Sequence, residues 1–293
     1  MGCGDGTLLK TIYQYVARST KRGKSLDEHP LTMCGVDFNR DSLAQTGATL
    51  SAAGVPHALM FGDIGDPAPM QAELEATLRV TRDGVLHVRS FLDHDRPFIP
   101  PTADADARIA AALDASSDAT YVSNAAGGAR ITPSEAYRSL VEHWGRWAAC
   151  LGTHGLIVLE VSNLDVVSTR RFMAEATSMH FDSVQAHSAQ MLMPAAHFSL
   201  GAATAGLLPD ERLLTYPKDS AYTRIVLQRL RPAGLSIRLA TLDDVRGLLE
   251  LEAHWKSDVL SASEATLRRR IVAHPTGQLV AVAPDGELLG AMY

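Results

Sequence analysis

The chain has 293 residues with 27 basic and 33 acidic side chains, a net charge of −6, so no surplus of Lys and Arg supports a sequence-independent grip on nucleic acid. Its 46% apolar and 20% charged residues are ordinary globular figures that exclude a disordered chain, a collagen or a coiled coil. Three scattered cysteines (Cys3, Cys34, Cys150) form no secretory framework, and no apolar run reaches the roughly 18–20 residues of a membrane span. The expectation is a cytoplasmic or plastid protein that is not secreted and has neither a membrane nor a nucleic-acid partner.

Over the first two-thirds, short β-like runs alternate with helical patterns, which predicts an α/β domain with a mostly parallel sheet. Leu8, Leu9, Ile12, Tyr13 and Val16 recur at helical spacing from Thr7 to Arg18, and the run Leu31–Val36 is a strand candidate. Met70, Leu74 and Leu78 mark a second helix, followed by a strand over Val85–Leu92. Arg96 to Pro133 reads as a long loop with a short helix near Ala107–Leu113. Ser134 is placed to cap a helix through Leu151, and LIVLEV (Leu156–Val161) reads as a strand covered on both sides. Strands are expected at Ser188–Met193 and Thr223–Leu230, with a helix around Phe198–Ala205. A boundary is expected near 232–234. Beyond it the pattern gives a strand at Leu235–Leu239, helices from Thr241 and over Ser263–Ala273, and strands Leu279–Ala283 and Glu287–Tyr293. Asp285-Gly286 between the last two is a hairpin signal.

Three motifs carry chemistry. Gly2, Gly4, Asp5 and Gly6 make a glycine-rich loop running into a helix, whose first N–H groups have no partner within the helix and suit a polar ligand. A dinucleotide fingerprint would have glycine where Thr7 stands, which disfavours an NAD-dependent oxidoreductase and suits a ligand without pyrophosphate. Asp37 ends the second strand, where a carboxylate either accepts from both ribose hydroxyls or caps the next helix. Asp63 and Ile64 precede another helix, placed for an exocyclic amine and a ring face. Together, in this order, the three motifs point to an adenosine pocket. At the carboxyl end of the strand Leu86–Leu92, Ser90 and His94 are candidate catalytic residues. His87 and Arg89 inside that strand are costly unless paired, and Asp93, His94, Asp95 and Arg96 alternatively form a structural ion cluster. Gln190, with His187 and Gln185 nearby, either presents neutral ligands to a metal or is a plain hydrogen-bonding residue.

The segments GCGDGTLLKTIYQ, LTMCGVDFNRDSL, GDIGDP and LHVRSFLDHDRPFIPP, continued by SLVEHWGRW, HGLIVLEV, AGLLP and YTRI, closely resemble the starter proteins of saxitoxin synthases. These are polyketide-like enzymes whose first domain is a metal-dependent C-methyltransferase. LRRRIVAHPTGQLV resembles their second, GNAT-like domain. The resemblance implies a class I, Rossmann-like methyltransferase sheet over residues 1–232, followed by a truncated GNAT-like α/β domain over 235–293. It implies S-adenosylmethionine as methyl donor, malonyl on an acyl carrier protein as acceptor, decarboxylation to propionyl by the GNAT-like domain, and downstream synthase domains as partners. It also implies an Mn or Fe ion held by a Gln, here Gln190, and by a His just after the strand LIVLEV. The His position is occupied by Ser162, and a hydroxyl is a poor substitute for imidazole on a transition metal.

Two further departures concern the ends. The strand that leads into such a glycine loop in the family has no counterpart before Gly2, so the sheet is expected to lack its first strand. The chain ends at Tyr293, before the family's acyl-binding loop, while Trp255 matches an early pocket residue. The sequence thus reads as an internal fragment: either a working methyltransferase domain, or a non-catalytic remnant that keeps the adenosine pocket.

Overall fold

The computed structural model describes residues 1–123, 127–175, 189–210, 213–254 and 261–293. Helix α1 (Thr7–Ser19) follows the glycine loop and leads through a short 3-10 turn to strand β1 (Met33–Asp37). Helix α2 (Arg40–Ala52) then returns the chain to strand β2 (His57–Phe61), which lies parallel to β1 from Met33↔His57 to Asp37↔Phe61. Asn39 caps α2, its side chain accepting from the Asp41 N–H, which satisfies an otherwise orphaned donor of the first turn. This second βα unit carries no apolar periodicity strong enough to announce it. Of α2 only Thr46 and Leu50 are buried, so no stripe of hydrophobic residues marks its inner face.

After helix α3 (Pro67–Leu78) comes strand β3 (His87–Ser90), shorter than the expected Val85–Leu92. The shortening has a local cause. Phe91 adopts φ 53°, a left-handed conformation strained for a bulky L-residue, and the chain turns there into a one-turn 3-10 helix over Asp93–Asp95. The stretch expected to be loop holds helix α4 (Ala107–Ser116) and also an antiparallel hairpin, β4 (Tyr121–Ser123) with β5 (Ala129–Ile131).

Helix α5 (Pro133–Cys150) is the structural centre. Its cap is Thr132 and not Ser134: Thr132 and Glu135 form a reciprocal capping box with Pro133 at the first helical position, the arrangement that satisfies two orphan donors at once. Ser134 is instead buried, with its N–H and hydroxyl on the Asp114 carboxylate. Ala136, Leu140, Trp144 and Trp147 recur at helical spacing along α5 and are each fully buried. Each such apolar side chain contributes about 1.5–3 kcal/mol relative to an exposed one.

Strand β6 (Leu156–Val161) lies parallel to β3 and antiparallel to β9 (Ile225–Pro232). Helix α6 (Val166–Phe172) follows β6, and helix α7 (Ala195–Thr204) packs on α5, with Phe198 edge-on to Trp144. Two short strands, β7 (Leu207–Pro209) and β8 (Leu214–Tyr216), pair antiparallel with β9. The strand expected over Ser188–Met193 is not formed by its described residues. Residues 189–193 run irregularly, held by the Met191 N–H on the His94 carbonyl and the Asn163 N–H on the Met193 carbonyl. The Met191 donor and Met193 acceptor thus go to a turn and a loop and not, among the described residues, to a strand ladder.

Residues 236–293 form an antiparallel sheet of β10 (Ser236–Leu239), β11 (Leu279–Val282) and β12 (Leu288–Met292), with helices α8 (Val245–Glu252) and α9 (Glu264–Ala273). Their core of Val245, Leu248, Leu267, Ile271 and Val280 is a separate cluster from that around α5. Among the described residues no helix is long and apolar enough to cross a membrane.

The parallel strands do not make one sheet. β1 pairs with β2 and β3 pairs with β6, and no ladder joins β1 to β3 among the described residues. Backbone bonds from the N-terminal segment reach both walls of the interval: the Met1 nitrogen donates to the Val88 carbonyl at 2.8 Å, and the Cys3 N–H donates to the Val36 carbonyl at 3.2 Å. Beneath them lies a cavity of about 480 Å³ walled by Met33, Val36, Leu74, Leu78 and Val88.

Candidate active site

At the carboxyl ends of β1 and β2 the structure forms a pocket of about 450 Å³ lined by Gly2, Asp37, Phe38, Phe61, Asp63 and Ile64, together with Leu92, Asp95 and Pro97. Such sheet ends are where α/β folds bind ligands. The sequence brings four predicted residues here: Gly2, Asp37, Asp63 and Ile64.

Each is positioned by identifiable bonds. Asp37 closes β1 with its carboxylate buried: Oδ2 accepts from the Gly4 N–H at 3.2 Å and Oδ1 from the Asn39 N–H at 3.0 Å. One side chain therefore ties the glycine loop to the start of α2. Gly2, Gly4 and Gly6 all have positive φ, at 63°, 55° and 78°, a region costly for any residue with a Cβ. Gly6 also sits against the backbone of Thr46, where an added Cβ would lie 3.0 Å from Thr46 Cα. Gly4 thus acts on the pocket through Asp37, and Gly6 through packing. Asp5 is placed elsewhere: it is exposed and accepts from the Thr7 N–H and hydroxyl, both at 2.9 Å, just ahead of α1. Those bonds hold its carboxyl below the usual range.

Asp63 Oδ1 accepts from the Gly65 N–H at 2.7 Å. Helix α5 fixes this loop from below, since Trp147 Nε1 donates to the Ile64 carbonyl at 2.9 Å and Arg146 Nε to the Gly65 carbonyl at 2.8 Å. Phe38 and Phe61, 66% and 51% exposed, flank the pocket and are the residues sequence reading missed. The signal for Phe38 was available: an aromatic directly after a strand-end acid presents a flat apolar face beside a polar group. The Arg40 guanidinium stands 5.1 Å over the Phe61 ring.

Beside this pocket, the turn after β3 builds a second constellation. Glu160 on β6 is buried, and its Oε2 accepts from three successive backbone N–H groups, those of Leu92 (3.0 Å), Asp93 (2.6 Å) and His94 (3.3 Å). Successive N–H groups converging on one anion form a nest, and the positive φ of Phe91 aims them. Oε1 of the same carboxylate binds His94 Nδ1 at 2.7 Å. Burial opposes a charged His94 ring, but the Glu160 bond and charge, with Asp95 and Asp93 adding to them, outweigh it and raise its pKa. Sequence reading missed Glu160 as well; its one signal, a lone charge in the apolar run LIVLEV, does not say what it pairs with. Ser90 ends β3, half-buried, opposite Leu159.

Below the turn, the costly strand residues divide. Arg89 is paired: its guanidinium lies between the rings of Trp144 and Trp147, 4.7 and 4.4 Å from their centroids, and Nη2 stands 3.1 Å from Asp93 Oδ1. His143 Nε2 is also 3.1 Å from Asp93 Oδ1, and Arg96 donates to the Asp93 carbonyl at 2.9 Å. Asp93 and Arg96 therefore belong to a structural cluster, whereas His94 faces Glu160. His87 has no described partner at Nε2. It stays neutral, its pKa pushed down to about 4 chiefly by burial, and burial does the same to His143, also to about 4.

A folded pKa below the unfolded value of about 6.5 means that the unfolded chain binds more protons between the two. Stability should therefore rise with pH across that interval. Acidification from about pH 6.5 to 4 is expected to cost about 1.4 kcal/mol per pH unit for each of His87 and His143. His94, with its raised pKa, acts in the opposite sense, contributing stability below about pH 6.5 that is lost as pH rises through its folded value. Burial lowers His197 as well, so the net effect should favour higher pH; urea unfolding at several pH values reads it, and a stability that is flat or rises on acidification would contradict it.

The metal ligands suggested by the resemblance are a buried Ser162, whose Oγ has no partner among the described residues, and a half-buried Gln190. A hydroxyl and an amide are weak neutral donors for Mn or Fe. Among the described residues, no three His, Cys, Asp or Glu side chains gather to hold an ion. The donor set does not fit, and no chemical step is assigned to a metal. Gln185, His187 and Trp255 lie outside the described residues.

A methyltransferase family described as AprA MT2-like domain matches residues 1–228. No curated protein sequence matches. Solved structures match at low identity. LepI in complex with SAM has 11% identity and a TM-score of 0.41, over 78% of this chain and 41% of that one. A protein that converts a disulfide bond into a thioacetal group during echinomycin biosynthesis has 16% identity and a TM-score of 0.34, over 87% and 80%. The PH0226 protein from Pyrococcus horikoshii has 10% identity and a TM-score of 0.36, over 78% of each. The chain thus spans about two-fifths of the LepI chains it resembles.

Proposed function

Since this chain belongs to the AprA MT2-like family of methyltransferase domains, we propose that it binds S-adenosylmethionine in the pocket at Asp37 and Asp63 and methylates an acidic carbon of a thioester substrate. The observation that carries the reading is the pocket itself, which gathers Gly2, Asp37, Asp63 and Ile64 from three separate segments. On this reading Asp37 accepts from the ribose hydroxyls and Asp63 from the exocyclic amine, while Phe38, Phe61 and Ile64 cover the faces of the base. S-adenosylmethionine would supply an electrophilic methyl on a sulfonium.

The protein's own work is to take a proton and hold a negative charge. His94, bonded through Nδ1 to Glu160, has Nε2 left to accept a proton from the carbon between two carbonyls. Glu160 keeps the ring oriented and stabilises the imidazolium that results. The hydroxyl of Ser90, at the same strand end, is available as a donor to the carbonyl oxygen that gains charge. With the resemblance to saxitoxin synthase starters, the acceptor is a malonyl group on an acyl carrier protein, and downstream synthase domains are partners. Residues 235–293 belong, on this reading, to the GNAT-like domain.

Labelled S-adenosylmethionine and a malonyl carrier protein test this directly, the expected product being a methylmalonyl thioester. His94→Ala is expected to lower turnover roughly 10²- to 10⁴-fold while S-adenosylhomocysteine still binds. Unchanged turnover in that variant removes His94 as the base. Tight cofactor binding with no turnover in the parent chain would favour the non-catalytic remnant, and absence of binding would overturn the assignment of the pocket.

A further inference from the structure

We propose that Arg89, Asp93 and His143 are positioning residues for His94, acting through the turn at 92–95 and the carboxylate of Glu160. The proposal rests on the reading of His94 as the base. Its own support is geometric. Asp93 lies at the centre of the turn and contributes twice: its N–H makes the shortest of the three bonds to Glu160, at 2.6 Å, and its fully buried carboxylate reaches the opposite way to Arg89 and His143, each at 3.1 Å. The turn is thereby clamped between β6 above and α5 below. Arg96 Nη1 closes the clamp on the Asp93 carbonyl, and Nη2 of the same side chain on that of Ala136 in α5.

Stability alone does not explain this arrangement. A guanidinium and a carboxylate withdrawn from water are often matched or exceeded by apolar residues of similar volume, so a buried pair is weak evidence of a stabilising device. What the cluster supplies is directional: it fixes the height and rotation of a turn whose first residue, Phe91, is held at a strained φ of 53°. Released from the clamp, that turn has a lower-energy conformation in which the three N–H groups no longer converge, and Glu160 then loses the bonds that orient it toward His94. Burial works against the charge of Asp93, but Arg89, His143 and Arg96 together outweigh it and keep the carboxyl ionised. Glu160 from β6 is bonded to the His94 ring, and the charges of Asp95 and Asp93 act on it from its own turn, so the titration of that ring reports whether the arrangement survives.

The test is the titration of the His94 ring followed by NMR in the intact chain, with methyl transfer as a second readout. In His143→Leu, which removes one contact to Asp93 without adding a charge, the His94 pKa is expected to fall by about half a unit or more. Turnover should fall about tenfold, with the affinity for S-adenosylhomocysteine unchanged. His143→Gln, which keeps a donor for Asp93, should restore both. Arg89→Lys keeps the buried charge, loses the indole stack, and reads the same titration should His143→Leu not fold. A His94 titration that is unmoved in His143→Leu, or in Arg89→Lys where the former is unfolded, overturns the proposal. Because the titration needs no turnover, it separates failure of the clamp from failure of His94 as the base.

Discussion

Asp37→Ala is expected to weaken S-adenosylmethionine binding roughly tenfold to hundredfold, equivalent to about 1.5–3 kcal/mol for charge-assisted hydrogen bonds removed from a buried site. Two losses combine. The ribose loses its acceptor, and the Gly4 and Asn39 N–H groups lose the carboxylate that holds loop and helix in register. Asp37→Asn separates them: an amide oxygen retains one acceptor for the backbone but no charge for the ligand, so its affinity should fall between those of parent and alanine variant. Calorimetric titration with S-adenosylhomocysteine measures all three. Equal dissociation constants for parent and Asp37→Ala would mean that the ligand binds elsewhere. Asp5→Ala is the matched control, because that carboxylate is exposed and bonded only to Thr7.

The adenosine half of the site was legible in the sequence because its chemistry is local. A glycine loop before a helix and acids at strand ends are short-range signals, and the pocket follows once parallel strands align their carboxyl ends. The other half was not, because it depends on side chains far apart in sequence. Glu160 meets Leu92, Asp93 and His94 across 66 to 68 residues, and His143 meets Asp93 across 50. His94 could be named from its place after a strand, but not its partner. The element list shows the same division. Strongly periodic segments such as α1, α5 and β6 were readable, whereas α2 and the β4–β5 hairpin, with few buried apolar residues to set a rhythm, were not. The strand expected at 188–193 failed for a related reason. Met191, Leu192 and Met193 are buried, and an apolar run of three is equally compatible with an irregular segment whose backbone bonds go to turns.

An apolar segment of four or five residues joined ahead of Met1 is expected to stabilise this protein. The reason is the interval between β1 and β3. Among the described residues each of these strands has a ladder on one side only, and the 480 Å³ cavity between them is walled largely by apolar residues, whereas protein interiors are ordinarily packed as tightly as organic crystals. The geometry for a strand is already begun, since Met1 and Cys3 bond to Val88 on one wall and Val36 on the other. A parallel strand continuing from Met1 would extend those two bonds into ladders on both sides, placing alternate side chains against Leu74 and Leu78. Extensions of alternating valine or isoleucine should raise the melting temperature by about 5 °C or more, given the roughly 2–4 °C that each kcal/mol is worth in a chain of this size. They should also tighten S-adenosylhomocysteine binding, because Gly2 would be held by the strand that precedes it. A polar extension of equal length should do neither. If the apolar extension leaves both melting temperature and affinity unchanged, the interval between β1 and β3 is not an acceptor for a strand.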